Sequence, residues 1–258
     1  MFELALEPTT WALLCAVALA AGFIDAIAGG GGMLTVPALL TAGLPPHLTL
    51  GTNKLAASFG SLTASVTYFR KKLFSPRFWA ASIIATAIGA LIGTLVVDYL
   101  SIDFLNKLLP VVIILVACYS LFGSLSTTEH NELPTLDTKT KIKQWLQGLG
   151  LGFFDGLAGP GTGTFWTASN SLLYKMSLLL NCGLARSMNF VSNFISLITF
   201  VALGHVNFLL GITMGLFLML GAWLGAHSAI KFGGKMIRPV FNTVVIILAL
   251  KLIYEAYL

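Results

Sequence analysis

Long apolar runs alternate with short polar breaks along this chain, at 11–28, 48–69, 78–97 and 105–125 and then, past a polar stretch, at 145–157, 184–203, 208–230 and 239–257. A helix needs about 20 predominantly apolar residues to cross the hydrocarbon core, so the pattern predicts membrane-crossing helices. Two shorter apolar stretches, 33–43 and 165–174, each follow a glycine-rich cluster. The polar stretch STTEHNELPTLDTKTKIKQ at 126–144 reads as a linker between a first unit at 1–125 and a second at 145–258. The first apolar run does not resemble a signal peptide, because Glu3 and Glu7 precede it and no lysine or arginine does. It is expected to stay in the mature protein.

Composition points the same way. Of the 258 residues, 57% are hydrophobic and only 10% charged, against about 25% charged in an ordinary soluble domain. So few charges cannot clothe a water-exposed surface, and the expected fold class is an all-α polytopic membrane protein. Cys15, Cys118 and Cys182 fall in or beside apolar runs without paired spacing, as packing residues do. No cofactor or metal is expected. No two histidines have metal-ligand spacing, and GTNK at 51–54 lacks the upstream glycine of a phosphate loop. The net charge of +5 fits basic loops lying against anionic lipid and implies no nucleic-acid partner.

The second unit repeats the landmarks of the first, in order. GFIDAIAGGG from Gly22 is matched by GFFDGLAGPG from Gly152, and TNKLAASFGSL from Thr52 by SMNFVSNFISL from Ser187. GALIG from Gly89 is matched by GAWLG from Gly221, and LLPVV from Leu108 by IRPVF from Ile237, all at offsets of 129 to 135 residues. This is an internal repeat. Charge decides its sense. Arg70, Lys71, Lys72 and Arg77 follow the second span of the first unit, whereas the matching segment at 204–207 has no basic residue. Before the last span the bias reverses, with Asp98 and Asp103 in the first unit against Lys231, Lys235 and Arg238 in the second. Short cytoplasmic loops collect lysine and arginine, so the units are predicted to be inverted.

Inversion requires an odd number of crossings per unit. The first apolar run and the short one after it are therefore predicted to form a hairpin that enters the membrane and returns, with the glycines at its tip, where irregular backbone is tolerated if buried in protein. Each unit is then a four-helix half whose first helix is broken and re-entrant. With Lys139, Lys141, Lys143 and Lys175 added, 11 of the 15 basic residues share one face. The expected location is a bacterial inner membrane, with linker and basic loops cytoplasmic and both termini periplasmic.

Four ionisable residues interrupt the apolar segments: Asp25, Lys54, Asp155 and Arg186. Such groups are costly at membrane depth and by default face a cavity or a partner. Asp25 and Asp155 precede the two hairpin tips, while Lys54 and Arg186 fall within one helical turn of matched positions. One reading is a central anion-binding cavity. Lys54 and Arg186 would supply positive charge, and Asn53, Asn189, Asn193, Ser58 and Ser192 neutral hydrogen bonds. The tips at Gly30, Gly31, Gly161 and Thr162, with the helix starts at Met33 and Thr164, would add backbone N–H groups. The other reading is that the aspartates neutralise the cations as structural ion pairs, or act in coupling. Glycines four apart, at Gly89 and Gly93, Gly211 and Gly215, and Gly221 and Gly225, read as close helix packing. His47 and His205 are expected in solvated external loops, His130 in the linker, and His227 as a core histidine.

With GFIDAIAGGGG, GTNK, GFFDGLAGPGTG and MNFVSN at 188–193, the chain resembles the TauE/SafE family of sulfite and organosulfonate exporters over essentially its whole length, and most of all the YfcA-like branch of membrane transporters. The resemblance implies an inverted pair of four-helix repeats, and a substrate among small sulfur-containing anions such as sulfite, thiosulfate, sulfoacetate or taurine-type sulfonates. The second tip reads GPGTG where the first reads GGGG, so a symmetric site is not implied. The expected function is secondary transport of such an anion, outward, by alternating access. A cation or metal permease would show carboxylates without facing cations. A membrane-embedded enzyme would need a nucleophile, acid–base pair or metal cluster, and the sequence carries none. The oligomeric state is left open, a homodimer included.

Overall fold

The computed structural model describes residues 6–109, 111 and 132–233. Most of the apolar run at 105–125, all of that at 239–257, and Cys118, His130, Lys235 and Arg238 lie outside the described residues. Eight helices have both ends within them: α1 (Pro8–Ile27), α2 (Gly32–Thr41), α3 (Pro46–Arg70), α4 (Ala80–Asp98), α5 (Thr138–Leu157), α6 (Thr162–Tyr174), α7 (Leu178–Ala202) and α8 (Phe208–Phe232). Residues 102–109 are also helical, and the described residues contain no strand. Among them α1, α4, α7 and α8 are long and apolar enough to cross a membrane.

Burial runs opposite to that of a water-soluble bundle. The outward faces are apolar, with Ile84, Ile88, Leu91 and Leu95 exposed on α4 and Ile212, Leu216, Leu220 and Trp223 exposed on α8. Spacings of three and four residues put each set on one helical stripe. The polar residues point inward instead: Thr49, Thr52, Asn53, Lys54, Ser58 and Ser61 of α3 are all buried. These inward groups make α3 too polar to read as a span by hydropathy, although it is 25 residues long.

Local signals account for several helix ends. Proline opens α1 and α3, where its missing N–H costs nothing. The α5 helix begins at Thr138, inside the stretch read as linker, because the Asp137 carboxylate accepts from the Thr140 N–H at 2.7 Å and caps it. That hydrogen bond holds the Asp137 carboxyl below the usual carboxylate range.

Two hairpins, α1–α2 and α5–α6, turn through glycines. Gly29 and Gly30 have φ of +88° and +95°, and Gly159 and Gly161 of +87° and +82°, a region that costs a side-chain-bearing residue strain. Each hairpin packs mainly against the last described long helix of the other unit, α1 against α8 and α5 against α4, while α3 and α7 cross at the centre. Glycines permit these approaches. A Cβ on Gly89 or Gly93 would run into the Leu149 or Phe153 carbonyl, and one on Gly221 or Gly225 into the Leu19 or Phe23 carbonyl. Gly211 and Gly215 likewise receive Leu55 and Phe59 of α3. The close packing expected of all three glycine pairs is present.

Candidate functional site

The two hairpin tips meet in the middle of the bundle. Gly32 lies against Pro160, and Gly29 against Gly163 and the Thr164 nitrogen. Around this meeting point α3 and α7 each contribute one cation, and each cation binds the opposite unit's hairpin. The Lys54 Nζ lies 2.9 Å from Asp155 Oδ1 and donates to the Asp155 carbonyl at 2.6 Å and to Asn193 Oδ1 at 3.1 Å. Arg186 lies 3.4 Å from Asp25 Oδ1, donates to the Asp25 carbonyl, and donates to the Gly163 carbonyl at 2.9 Å. Both cations thus sit at the C-terminal end of a broken helix, where free carbonyls and the helix dipole favour positive charge.

The aspartates reach forward across the tips. Asp25 Oδ1 accepts from the Gly31 N–H at 2.9 Å, at the start of α2, and Asp155 Oδ1 accepts from the Thr162 hydroxyl at 3.0 Å, at the start of α6. Asp155 Oδ2 also accepts from Ser192. The anion nearest each of these helix starts is therefore the chain's own carboxylate. Removing one partner of such a buried pair typically costs about 3–5 kcal/mol, so both pairs clamp the fold as well as charging the site.

A polar cavity opens between the tips. Its wall includes Asp25, Asn53, Lys54, Asp155, Asn189 and Asn193, together with Gly30, Gly31, Gly161 and Thr162. Of the expected residues, Arg186, Ser58, Ser192, Met33 and Thr164 are not on that wall. Arg186 is fully buried behind Gly163, and its Nε has no hydrogen-bond partner among the described residues. Ser58 turns its hydroxyl back to the Lys54 carbonyl at 2.7 Å. The wall also holds Thr35, which donates to Asn53 Oδ1 at 2.6 Å, and Gly163. Thr35 did not stand out in the sequence, because a threonine in an apolar helix carries no distinctive signal, whereas Gly163 closes the GPGTG tip. The accessible charges are unequal. The Lys54 side chain is 2% exposed, while that of Asp25 is 16% exposed, with Oδ2 held only by Asn189 at 3.4 Å.

The histidines depart from expectation. His47 and His205 are half-buried rather than solvated, with ring centroids 5.2 Å apart. His205 Nε2 lies 2.8 Å from Asp98 Oδ1, and His47 Nε2 lies 3.1 Å from the Val97 carbonyl. The loop after α7 folds back onto α3 at Gly51, which draws these side chains together. His227 is exposed, not core, and bonds the Trp223 carbonyl one turn back. Among the described residues, no cluster of three or more histidine, cysteine, aspartate or glutamate side chains could hold a metal ion.

Comparison with known proteins adds a family. Residues 14–252 match the family described as Sulfite exporter TauE/SafE. A "Probable membrane transporter protein" of Haemophilus influenzae is 36% identical, covering 95% of this chain and 94% of its own length. "Probable membrane transporter protein YfcA" of Escherichia coli K12 is 34% identical, covering 97% and 92%, and "Probable membrane transporter protein ORF9" of a Sinorhizobium species is 37% identical, covering 95% and 92%. No solved structure matches the chain.

Proposed function

The chain belongs to the sulfite exporter TauE/SafE family, and we propose that it is a secondary transporter that carries small sulfur-containing anions outward across the bacterial inner membrane. The observation that carries this reading is Lys54, a buried ammonium on the wall of a polar cavity where two broken helices meet tip to tip. Transporters built from inverted repeats bind substrate at such junctions of discontinuous helices.

Both cations are neutralised at rest, so a substrate anion enters a site without net excess charge. It engages Lys54 by replacing Asp155 as the ammonium's partner, and the pair re-forms when it leaves. Buried charge stays balanced throughout, which avoids the cost of an uncompensated ion. Asn53, Asn189, Asn193 and Thr162 offer hydrogen-bonding groups to sulfur-bound oxygens, and Arg186 holds the two tips in register from behind. Alternating access follows from the two units rocking about the tips as an inverted pair. The reciprocal packing of α1 with α8 and of α5 with α4 supports this symmetry. Outward movement needs no coupling ion, because an anion leaving a negative-inside cell gains about 2.3 kcal/mol per charge per 100 mV. The relatives' names support transport rather than catalysis.

The test is flux of labelled sulfite, thiosulfate, sulfoacetate and taurine in proteoliposomes. For the compound that is carried, Lys54→Ala is expected to lose transport while Lys54→Arg retains part of it. Undiminished flux in a folded Lys54→Ala variant would refute the cationic site.

A further inference from the structure

The two hairpins differ most at their open ends. In the second unit, α5, α6 and the start of α7 bury a cluster of amides and hydroxyls. The Gln147 amide donates to Ser169 Oγ and to Asn170 Oδ1, both at 2.7 Å, and its oxygen accepts from the Tyr174 hydroxyl at 3.0 Å. Asn181 donates to Ser171 Oγ at 2.8 Å and to the Met176 carbonyl at 3.1 Å. Even so, Gln144 Oε1, Asn181 Oδ1, Ser177 Oγ and Trp166 Nε1 are buried and have no hydrogen-bond partner among the described residues. Native proteins rarely leave such atoms unsatisfied, and a cluster of them is a characteristic seat of ordered water. The polar run continues toward the tip through Thr167, which donates to the carbonyl of Gly163 on the cavity wall at 2.9 Å.

The first unit is largely apolar at the corresponding level. At the offset of 130 set by Gly22 and Gly152, Leu14, Val17 and Leu40 stand where the second unit has Gln144, Gln147 and Asn170. Leu14, Leu39 and Leu44 there pack into one cluster with Leu210, Met214 and Leu218. The mouths differ too. The segment 71–79 packs over the α6–α7 junction through Leu73, Phe74 and Phe78, and the Phe78 carbonyl accepts from the Gln144 amide at 3.2 Å. Lys71, Lys72, Arg77, Lys143 and Lys175 are all exposed on this segment and on the two hairpin helices.

We propose that the second hairpin encloses a hydrated limb through which the substrate anion reaches the central cavity from the cytoplasmic face, while the leucine-packed first hairpin seals the external side in this conformation. The direction rests on the orientation proposed above; the wet and dry limbs rest on the buried groups alone. Exposed cations at the mouth raise the local concentration of anions, and the amides behind them replace part of the hydration shell the anion sheds.

The experiment is cysteine accessibility, with Cys15, Cys118 and Cys182 replaced by serine. The probe is a membrane-impermeant methanethiosulfonate that carries a sulfonate. Ser171→Cys and Ser169→Cys test the polar limb, and Leu14→Cys and Leu39→Cys the apolar one. The serine positions are expected to label in inside-out vesicles and not in right-side-out ones, and the leucine positions in neither. Replacing Lys71, Lys72, Arg77 and Lys175 by glutamine is expected to slow labelling about ten-fold, the lower end of electrostatic focusing. Equal labelling of the leucine positions, or no labelling at either serine position in protein of unchanged melting temperature, would overturn the proposal. Labelling at 169 and 171 from the external face alone would overturn the orientation and leave the wet limb standing.

Discussion

At the residue scale, Lys54 and Arg186 fill related places and meet different surroundings. Lys54 reaches the cavity, whereas Arg186 is walled off by Gly163 and spends its contacts on carbonyls of both tips. Lys54→Ala should therefore abolish substrate binding, and Arg186→Ala should first of all loosen the fold. Each substitution removes one partner of a buried pair, a loss of about 3–5 kcal/mol. Denaturation of Lys54→Met combined with Asp155→Asn should recover much of the Lys54→Met loss, since no charge is then left alone. If the double variant is no more stable than the singles, the pair is not the clamp described.

At the scale of elements, the helices and their tips were legible in the sequence because apolar length and glycine clusters are strong local signals. The starts of α2 and α6 fall within a few residues of the expected positions. What the pattern could not carry was partnership. Lys54 and Asp155 are 101 residues apart, and only the tertiary fold joins them. Ser58 and Arg186 were chosen by residue type; the Ser58 hydroxyl turns back to its own helix, and Gly163 covers Arg186 although it shares a helix face with Asn189 and Asn193. The stretch KTKIKQ looked like linker by charge, yet the Asp137 cap recruits it into α5. Asp137→Ala should raise amide exchange in the first turn of α5. Because the Asp137 carboxyl is held below its usual range, protection from the cap should be present near neutral pH and fade as pH falls through the lowered value. The glycine seams make a sharper claim. Gly93→Leu forces a side chain into the Phe153 carbonyl, and overpacking of this kind costs about 1–3 kcal/mol. Gly150, with open space beside it, should accept the same change with little loss on thermal melting.

At the scale of the whole molecule, the hairpins pack across the linker, α1 mainly against α8 and α5 mainly against α4. Each hairpin's aspartate meets a cation from the far side of the linker, which explains why a carboxylate and the most permissive backbone coincide at 25–32 and again at 155–161. Each carboxylate accepts a hydrogen bond from the start of the returning helix and receives the cation from across the linker, and the glycines let the tips meet. The inverted arrangement remains our reading. A reporter fused at Ser101 should report the external side and one at Gly233 the cytoplasm, and the opposite pair of signals would reverse it. The central claim, that the chain moves an anion past Lys54, is tested most directly by charge movement on a solid-supported membrane. Purified protein in proteoliposomes is challenged with sulfite, thiosulfate, sulfoacetate and taurine, beside Lys54→Ala. A negative-charge current for at least one compound, absent in the variant, is the expected result. A current of positive sign, or one that persists undiminished in Lys54→Ala, would contradict it.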